Sequence, residues 1–345
     1  MVVQTSYLAD YMFSSALDKI VFTTDQETVT FRLLKGTTEI LDETYVPDAN
    51  GSVSVLDLQD LVEPYLTSNL IEQFSYEVTD PSGASLTKSF IVQYCAAESS
   101  LSAKSFMGDY FLSLLMGEKV TSIGRKEFLH LVVFEETVVT VTCLYLSNTG
   151  QQTKTVGYNN ITTLNEVVTI DVSPDNFKDD SLGELFYYTV KAGNRFQSFQ
   201  VDLSKPDAAP CLLFTNSFGC QETIYCTGTH TLDPEFERSS TIIDGKFRHY
   251  KIDENRVFSA NTGIMNVPMS IWADDLFRSK EIYLLAGNLP DKEITITESE
   301  SKRTNDLDAL PTFTFSYRYA QRNQNILQLP RAGRVFDNTF DNTFE

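Results

Sequence analysis

At 345 residues the chain has room for two or three domains, each large enough to bury a core of its own. Its 24 Phe and 16 Tyr supply bulky apolar filling suited to sheets, which excludes a mostly disordered chain. With 47 Asp and Glu against 27 Lys and Arg, a net charge of -20 repels phosphate backbones and anionic lipid, and disfavours nucleic-acid and membrane-surface roles.

The first residues, MVVQTSYLADYMFSSALDKI, carry no early Lys or Arg and are interrupted by Asp10, a poor secretory signal. The expectation is a soluble product of the cytosol. Five cysteines, an odd number, then fit reduced thiols better than a disulfide framework. Period-2 alternation predicts strands over ETVTFRLL (27–34), FSYEV (74–78) and KSFIVQY (88–94), with DPSG (80–83) turning between the last two. DLQDLVEPYL predicts a short helix with Asp57 as its cap. The apolar stretch FMGDYFLSLLMG (106–117) is too short to span a bilayer and holds Asp109. Alternation then resumes in ETVVTVTCLYL (136–146), EVVTIDV (166–172), ELFYYTV (184–190) and RFQSFQVDL (195–203).

The two strand-rich stretches repeat one order. ETVTF (27–31) answers ETVVT (136–140), SVLDL (54–58) answers VTIDV (168–172) with Asp57 on Asp171, and each copy ends in a strand, a glycine turn and a strand. Offsets of about 109 to 114 residues suit one small β-sandwich per copy. After the linker SKPDAAPC (204–211) the texture changes. Asp244-Gly245 is a strong two-residue hairpin signal, SIWADDLFRS predicts a helix capped by Ser270, and KEIYLLAG, KEITITES and PTFTFSYRYA read as strands. The reading is an all-β chain: tandem β-sandwich domains at 1–98 and 99–205, a divergent β-rich domain with short helices at 206–330, and a C-terminal docking tail at 331–345. In that tail Phe336, Phe340 and Phe344 recur every four positions among weak helix formers, so they need a groove, either on their own body or on a neighbouring subunit.

Chemistry-bearing residues are sparse. Cys211, Cys220 and Cys226 are spaced nine and six apart with no CxxC pair, wrong for structural zinc and for redox work. Read as strand, NSFG turn and strand, the stretch places Cys220, Glu222, Ile224 and Cys226 on one face. His130, His230 and His249 have no near partner, and no GxSxG elbow, Walker loop or GxGxxG occurs. Glu235 and Glu237 share a strand face without a sign of a cleft, Trp272 reads as a core plug, and PDANGS (47–52) reads as a turn rather than a calcium loop. No catalytic residue, metal or cofactor is assigned.

The run LLFTNSFGCQETIYCTG, with Asn216, Phe218, Gly219 and Glu222, then Asp274, Asp275, Leu276, Phe277 and Ser279, then the FDNTFDNTF terminus, resembles β-rich virion or tail-associated structural proteins of gut-bacterial prophages. The likeness covers residues 211–345. It implies a non-enzymatic phage protein of the tail, baseplate or neck, made in the host cytoplasm and resident in the virion. Its partners would be copies of itself and other virion proteins, with Phe336, Phe340 and Phe344 as anchors. The alternative is an adhesin module for a host-surface glycan or protein, for which Tyr-rich FSYRYA (315–320) is the candidate segment.

Overall fold

The computed structural model describes every residue except 1, 2, 5, 7, 149, 288, 302–309 and 322–345. Its first block holds β1 (Val3–Gln4), β2 (Tyr11–Phe13), β3 (Ile20–Thr23), β4 (Val29–Lys35), β5 (Thr38–Tyr45), β6 (Ser52–Val55), α1 (Leu58–Val62), β7 (Ile71–Thr79) and β8 (Ser85–Gln93). A five-stranded sheet in the order β2-β8-β7-β4-β5 faces a three-stranded sheet, β1-β3-β6. Alternation decides the inner face: Val29, Phe31 and Leu33 of β4 and Phe74, Tyr76 and Val78 of β7 pack against Ile20, Phe22 and Val55 opposite. Asp57 does not cap α1. It sits in the left-handed region at φ 57 and makes no side-chain cap bond.

The second block holds α2 (Ala103–Asp109), β9 (Lys119–Thr121), β10 (Phe128–Val132), β11 (Thr137–Ser147), β12 (Gly150–Ile161), β13 (Val167–Asp171), β14 (Glu184–Ala192) and β15 (Arg195–Val201). Its sheets run β12-β11-β14-β15-β9 and β10-β13. The five-stranded sheet repeats that of the first block, down to an outer strand that pairs in parallel, β2 on β8 there and β9 on β15 here, while the smaller sheet lacks a counterpart of β1. The larger sheets share a topology, but the residue matching between the two stretches needs correction. Val29, Phe31 and Leu33 are buried and so are Val139, Val141 and Cys143, whereas Val138 is 58% exposed. Val29 therefore answers Val139, an offset of 110; an offset of 109 would turn the strand inside out. Likewise Val55 is buried, yet its partner at the Asp57–Asp171 offset, Thr169, is exposed.

The third block is a single seven-stranded sheet, β17-β16-β20-β21-β22-β19-β18. Its members are β16 (Cys211–Thr215), β17 (Gln221–Tyr225), β18 (His230–Ile243), β19 (Lys246–Asn261), α3 (Val267–Trp272), α4 (Asp274–Arg278), β20 (Ile282–Ala286), β21 (Leu289–Glu300) and β22 (Thr314–Tyr319). The helices plug one face through fully buried Trp272 and Leu276. The cap of α3 is Asn266, whose side chain accepts from Met269 N; Ser270 lies inside the helix and bonds back to Val267 O. FSYRYA is no aromatic platform either, because Phe315 and Tyr317 are buried and Tyr319 packs against the same core.

A fourth apolar cluster belongs to no single block. Phe13 and Ile71 of the first, Phe106, Met107 and Leu112 around α2, Val132 of the second and Phe218 and Cys220 of the third bury one another. Phe218 stacks on Phe106 at 5.2 Å and meets Phe13 edge-on at 5.9 Å. The three blocks share a core.

Candidate functional site

The cysteine-rich stretch lies in the joint between the blocks. Asn216 makes the NSFG turn by accepting, through Oδ1, from the backbone N–H of Phe218 and Cys220, each at 2.9 Å. Its amide nitrogen donates to Leu112 O at 2.8 Å, and Ala96 N donates to Ser217 O at 2.7 Å. Gly219 takes φ +77 with Leu70 so close that an added Cβ would stand 2.4 Å from it. Two of the three motifs that carried the resemblance meet here. Ser217 bonds to Asp275, Trp272 Nε1 donates to Glu222 Oε2 at 2.6 Å, and Thr215 N donates to Ser279 Oγ at 3.0 Å.

Behind the turn lies a buried ionic group. Lys119 Nζ donates to Glu127 Oε2 at 2.5 Å and to Thr223 O at 2.7 Å, and stands 4.7 Å over the Trp272 ring. Burial raises the Glu222 carboxyl, and the nearby Lys119 charge pulls it back. Burial likewise raises the Cys220 and Cys226 thiols, which leaves them protonated packing groups. Among the described residues no group of His, Cys, Asp and Glu is arranged to hold a metal ion. A pocket of about 250 Å³ opens beside Phe218, Phe106 and Met116; Glu98 is its only carboxylate and it has no histidine.

The histidines are dispersed. His230 packs beside the stacked Phe258 and Tyr317 rings, its Nε2 2.8 Å from the Tyr317 hydroxyl, and His249 lies on an exposed strand. His130 is a clamp: Nε2 donates to the Gln221 carbonyl at 2.7 Å and Nδ1 accepts from Thr169 Oγ1 at 2.9 Å. Burial lowers its pKa from 6.5 and so favours the neutral ring, in which Nδ1 accepts. The unfolded chain therefore takes up this proton first as pH falls, so the stability His130 contributes is full above about 6.5 and is lost below it. Urea titrations at pH 7.5 and 5.5 should show the wild type losing up to about 1.4 kcal/mol per pH unit below 6.5 more than His130→Gln.

Asp48 closes PDANGS as a turn, Oδ1 accepting from Asn50 N and Ser52 N at 2.8 Å. Glu235 and Glu237 lie on an exposed strand opposite Asn255 and Asp253. Phe336, Phe340 and Phe344 fall outside the described residues.

One surface stands apart. β18 and β19 pair from His230↔Ala260 to Ile243↔Lys246 with a register shift between Ser239 and Ser240, but β22 supports β19 only at 258–261. Residues 233–257 thus leave the sheet as a two-stranded ribbon about 40 Å long at roughly 3.3 Å per residue. Its tip is Asp244-Gly245, both at positive φ (52 and 71), the two-residue turn that matches strand twist. Ribbons of this kind are marginal in water by themselves. Register sorts the side chains. Leu232, Pro234, Phe236 and Ile242 share one face with Phe258, Ile252 and Phe247, and Arg238, His249, Glu254 and Arg256 are interspersed on it; the opposite face carries most of the remaining charges. The first face is core at its root, where Phe258 is 3% exposed. Farther out it is solvent-facing, with Phe236 at 42%, Ile252 at 48% and Phe247 at 80%. The Asp-Gly signal foretold the turn; the strand lengths and the projection had no local signature.

No family model and no curated protein matches the chain. Among solved structures it is similar to the periplasmic chaperone SfaE, at 9% identity over 65% of this chain and 98% of that one, with a TM-score of 0.22. A tetra-tandem repeat from the extending region of a large adhesion protein matches at 13% identity over 75% and 69%, TM-score 0.25. A 1.5-MDa bacterial ice-binding adhesin matches at 12% over 73% and 87%, TM-score 0.15.

Proposed function

We propose that this chain is a non-enzymatic structural protein that works by assembly, a component of a phage tail, baseplate or neck that binds copies of itself and other virion proteins. The carrying observation is the ribbon at 233–257, which holds Phe236, Ile242, Phe247 and Ile252 away from the body where the described residues leave them exposed. The virion setting rests on the motif resemblance at 211–345. In this reading the ribbon and the phenylalanines at 336, 340 and 344 are the contact elements.

Replacing 233–257 by a two-residue Asn-Gly turn tests it. The body should stay folded, since its apolar clusters lie below the ribbon root, while incorporation into particles falls to background. Normal incorporation of both this variant and one truncated after Arg334 would refute the proposal. The adhesin reading draws on Phe247 and Tyr250, 80% and 67% exposed at the ribbon tip. A glycan array probed with intact protein, with signal abolished by Phe247→Ser and Tyr250→Ser, would favour it.

A further inference from the structure

We infer that the seat of β17 on the second block is a two-sided pH clasp, tightest where His130 and Glu222 are both uncharged and loosened when either ionises. The geometry begins at a sheet edge. β17 ends the seven-stranded sheet and has a strand, β16, on one side only. Asn216 N donates to Cys220 O and Cys226 N to Pro210 O, so even-numbered residues bond toward β16 and the carbonyls of Gln221 and Thr223 turn outward. Side chains of the second block cap those carbonyls in place of a strand. His130 Nε2 donates to Gln221 O and Lys119 Nζ to Thr223 O, each at 2.7 Å. The two caps close the edge.

Both caps depend on charge. His130 is 5% exposed, and its ring meets neutral partners, Gln221 O from β17 and Thr169 Oγ1 from β13. The carboxylates on those strands are bonded elsewhere, Glu222 to Trp272 and Asp171 to Lys126. A second proton would place an unpaired cation there and set Nδ1 against the Thr169 hydroxyl proton. On the other cap, Lys119 spends its donors on Glu127 Oε2 and Thr223 O and stands over the Trp272 ring. Glu222, 6% exposed, is left with the Trp272 Nε1–H and the Ser113 hydroxyl. Cys220 on its own strand and Asp275 of α4 also face it, and Asp275 is flanked in turn by Asp274 and Arg278, which oppose one another in sign. One ammonium serves two buried carboxylates, so Glu222 keeps its proton. Ionised, it would compete with Glu127 for Lys119 and draw the ammonium off Thr223 O.

The two limbs have opposite signs. Below 6.5 the unfolded histidine takes a proton that the fold refuses, so the folding constant falls with pH by up to about tenfold per unit. Above 4.5 the unfolded Glu222 gives up a proton that the fold keeps, so the folding constant falls as pH rises, again by up to about tenfold per unit, until the folded carboxyl ionises. Between those values the two effects cancel. Urea titrations of the intact protein across this range test the inference. Glu222→Gln, which keeps an acceptor for Trp272, should abolish the alkaline fall alone, and His130→Gln the acid fall alone. Hydrogen exchange places the effect: protection of the 221–225 amides should drop more on either side of the maximum than that of the 74–78 amides in the first block. Trp272, the one tryptophan of the chain, gives a direct signature. Its emission should titrate with the alkaline limb in the wild type and stay flat in Glu222→Gln. An alkaline fall that survives Glu222→Gln overturns the inference. Should that variant fail to fold, a wild type whose 221–225 and 74–78 amides lose protection in parallel overturns it equally.

Discussion

Lys119→Met is expected to destabilise the protein by about 3–5 kcal/mol, the range for removing one partner of a buried ion pair. Lys119 and Glu127 are 7% and 1% exposed at their side chains. The ammonium holds Glu127 Oε2 and Thr223 O, and its charge lowers the cost of burying Glu222. Without it Glu127 retains a weak bond from Thr223 Oγ1 at 3.3 Å, and its Oε1 finds no donor among the described residues. Methionine fills the alkyl volume over Trp272, so the loss reads charge rather than a cavity. The pH dependence has a fixed sign. The Glu222 carboxyl, raised in the fold by burial, binds its proton more tightly folded than unfolded, so the stability it contributes is full below the ordinary carboxylate range and is lost as pH rises through its folded pKa. The Lys119→Met deficit, read from urea midpoints, should be largest near neutrality and shrink toward the carboxylate range. Adding Glu127→Gln should recover part of it.

Phe218→Ala should cost about 3–5 kcal/mol, as expected for removing a fully buried ring from a packed core. Phe218 is 2% exposed and touches elements from all three blocks. The larger effect is on cooperativity. The first block meets the rest through this ring, Phe13 on Phe106, Gly219 against Leu70, the Ala96–Ser217 bond and the Tyr11 contacts with Phe134 and Asn165. With the ring gone, calorimetry should resolve a separate transition for the first block where the wild type unfolds together. A single unchanged endotherm would mean that Phe218 is filler rather than joint.

The legible parts of this fold were those governed by local periodicity. Strands such as 74–78 and 184–190 alternate cleanly because one face is core and the other wet. DPSG and Asp244-Gly245 announce themselves because few residues accept those dihedrals. Edge strands β5 and β12 were missed, since both faces of an edge are largely exposed and the pattern fades. The helix α2 was hidden in an apolar run whose Phe106 and Met107 face partners from distant segments. The register of the duplication was misread because Glu-Thr-Val recurs as letters one position out of phase with the pleat. At the joint, the NSFG turn was legible as a turn, but Phe13, Phe106 and Lys119 lie about a hundred or more residues away, beyond any local signal.

The shared core also fixes a direction. A ribbon of about 40 Å is a lever, so a wobble of roughly 5° at its root would sweep the end through about 3–4 Å, nearly one strand spacing. Chains joined by loose hinges would miss their neighbours by that much and grow at random angles. Phe218 anchors the β16–β17 edge of the seven-stranded sheet to both sandwiches, and the ladder carries that anchorage across to the ribbon at the other edge, so in the assembly proposed above one subunit would dictate the bearing of the next.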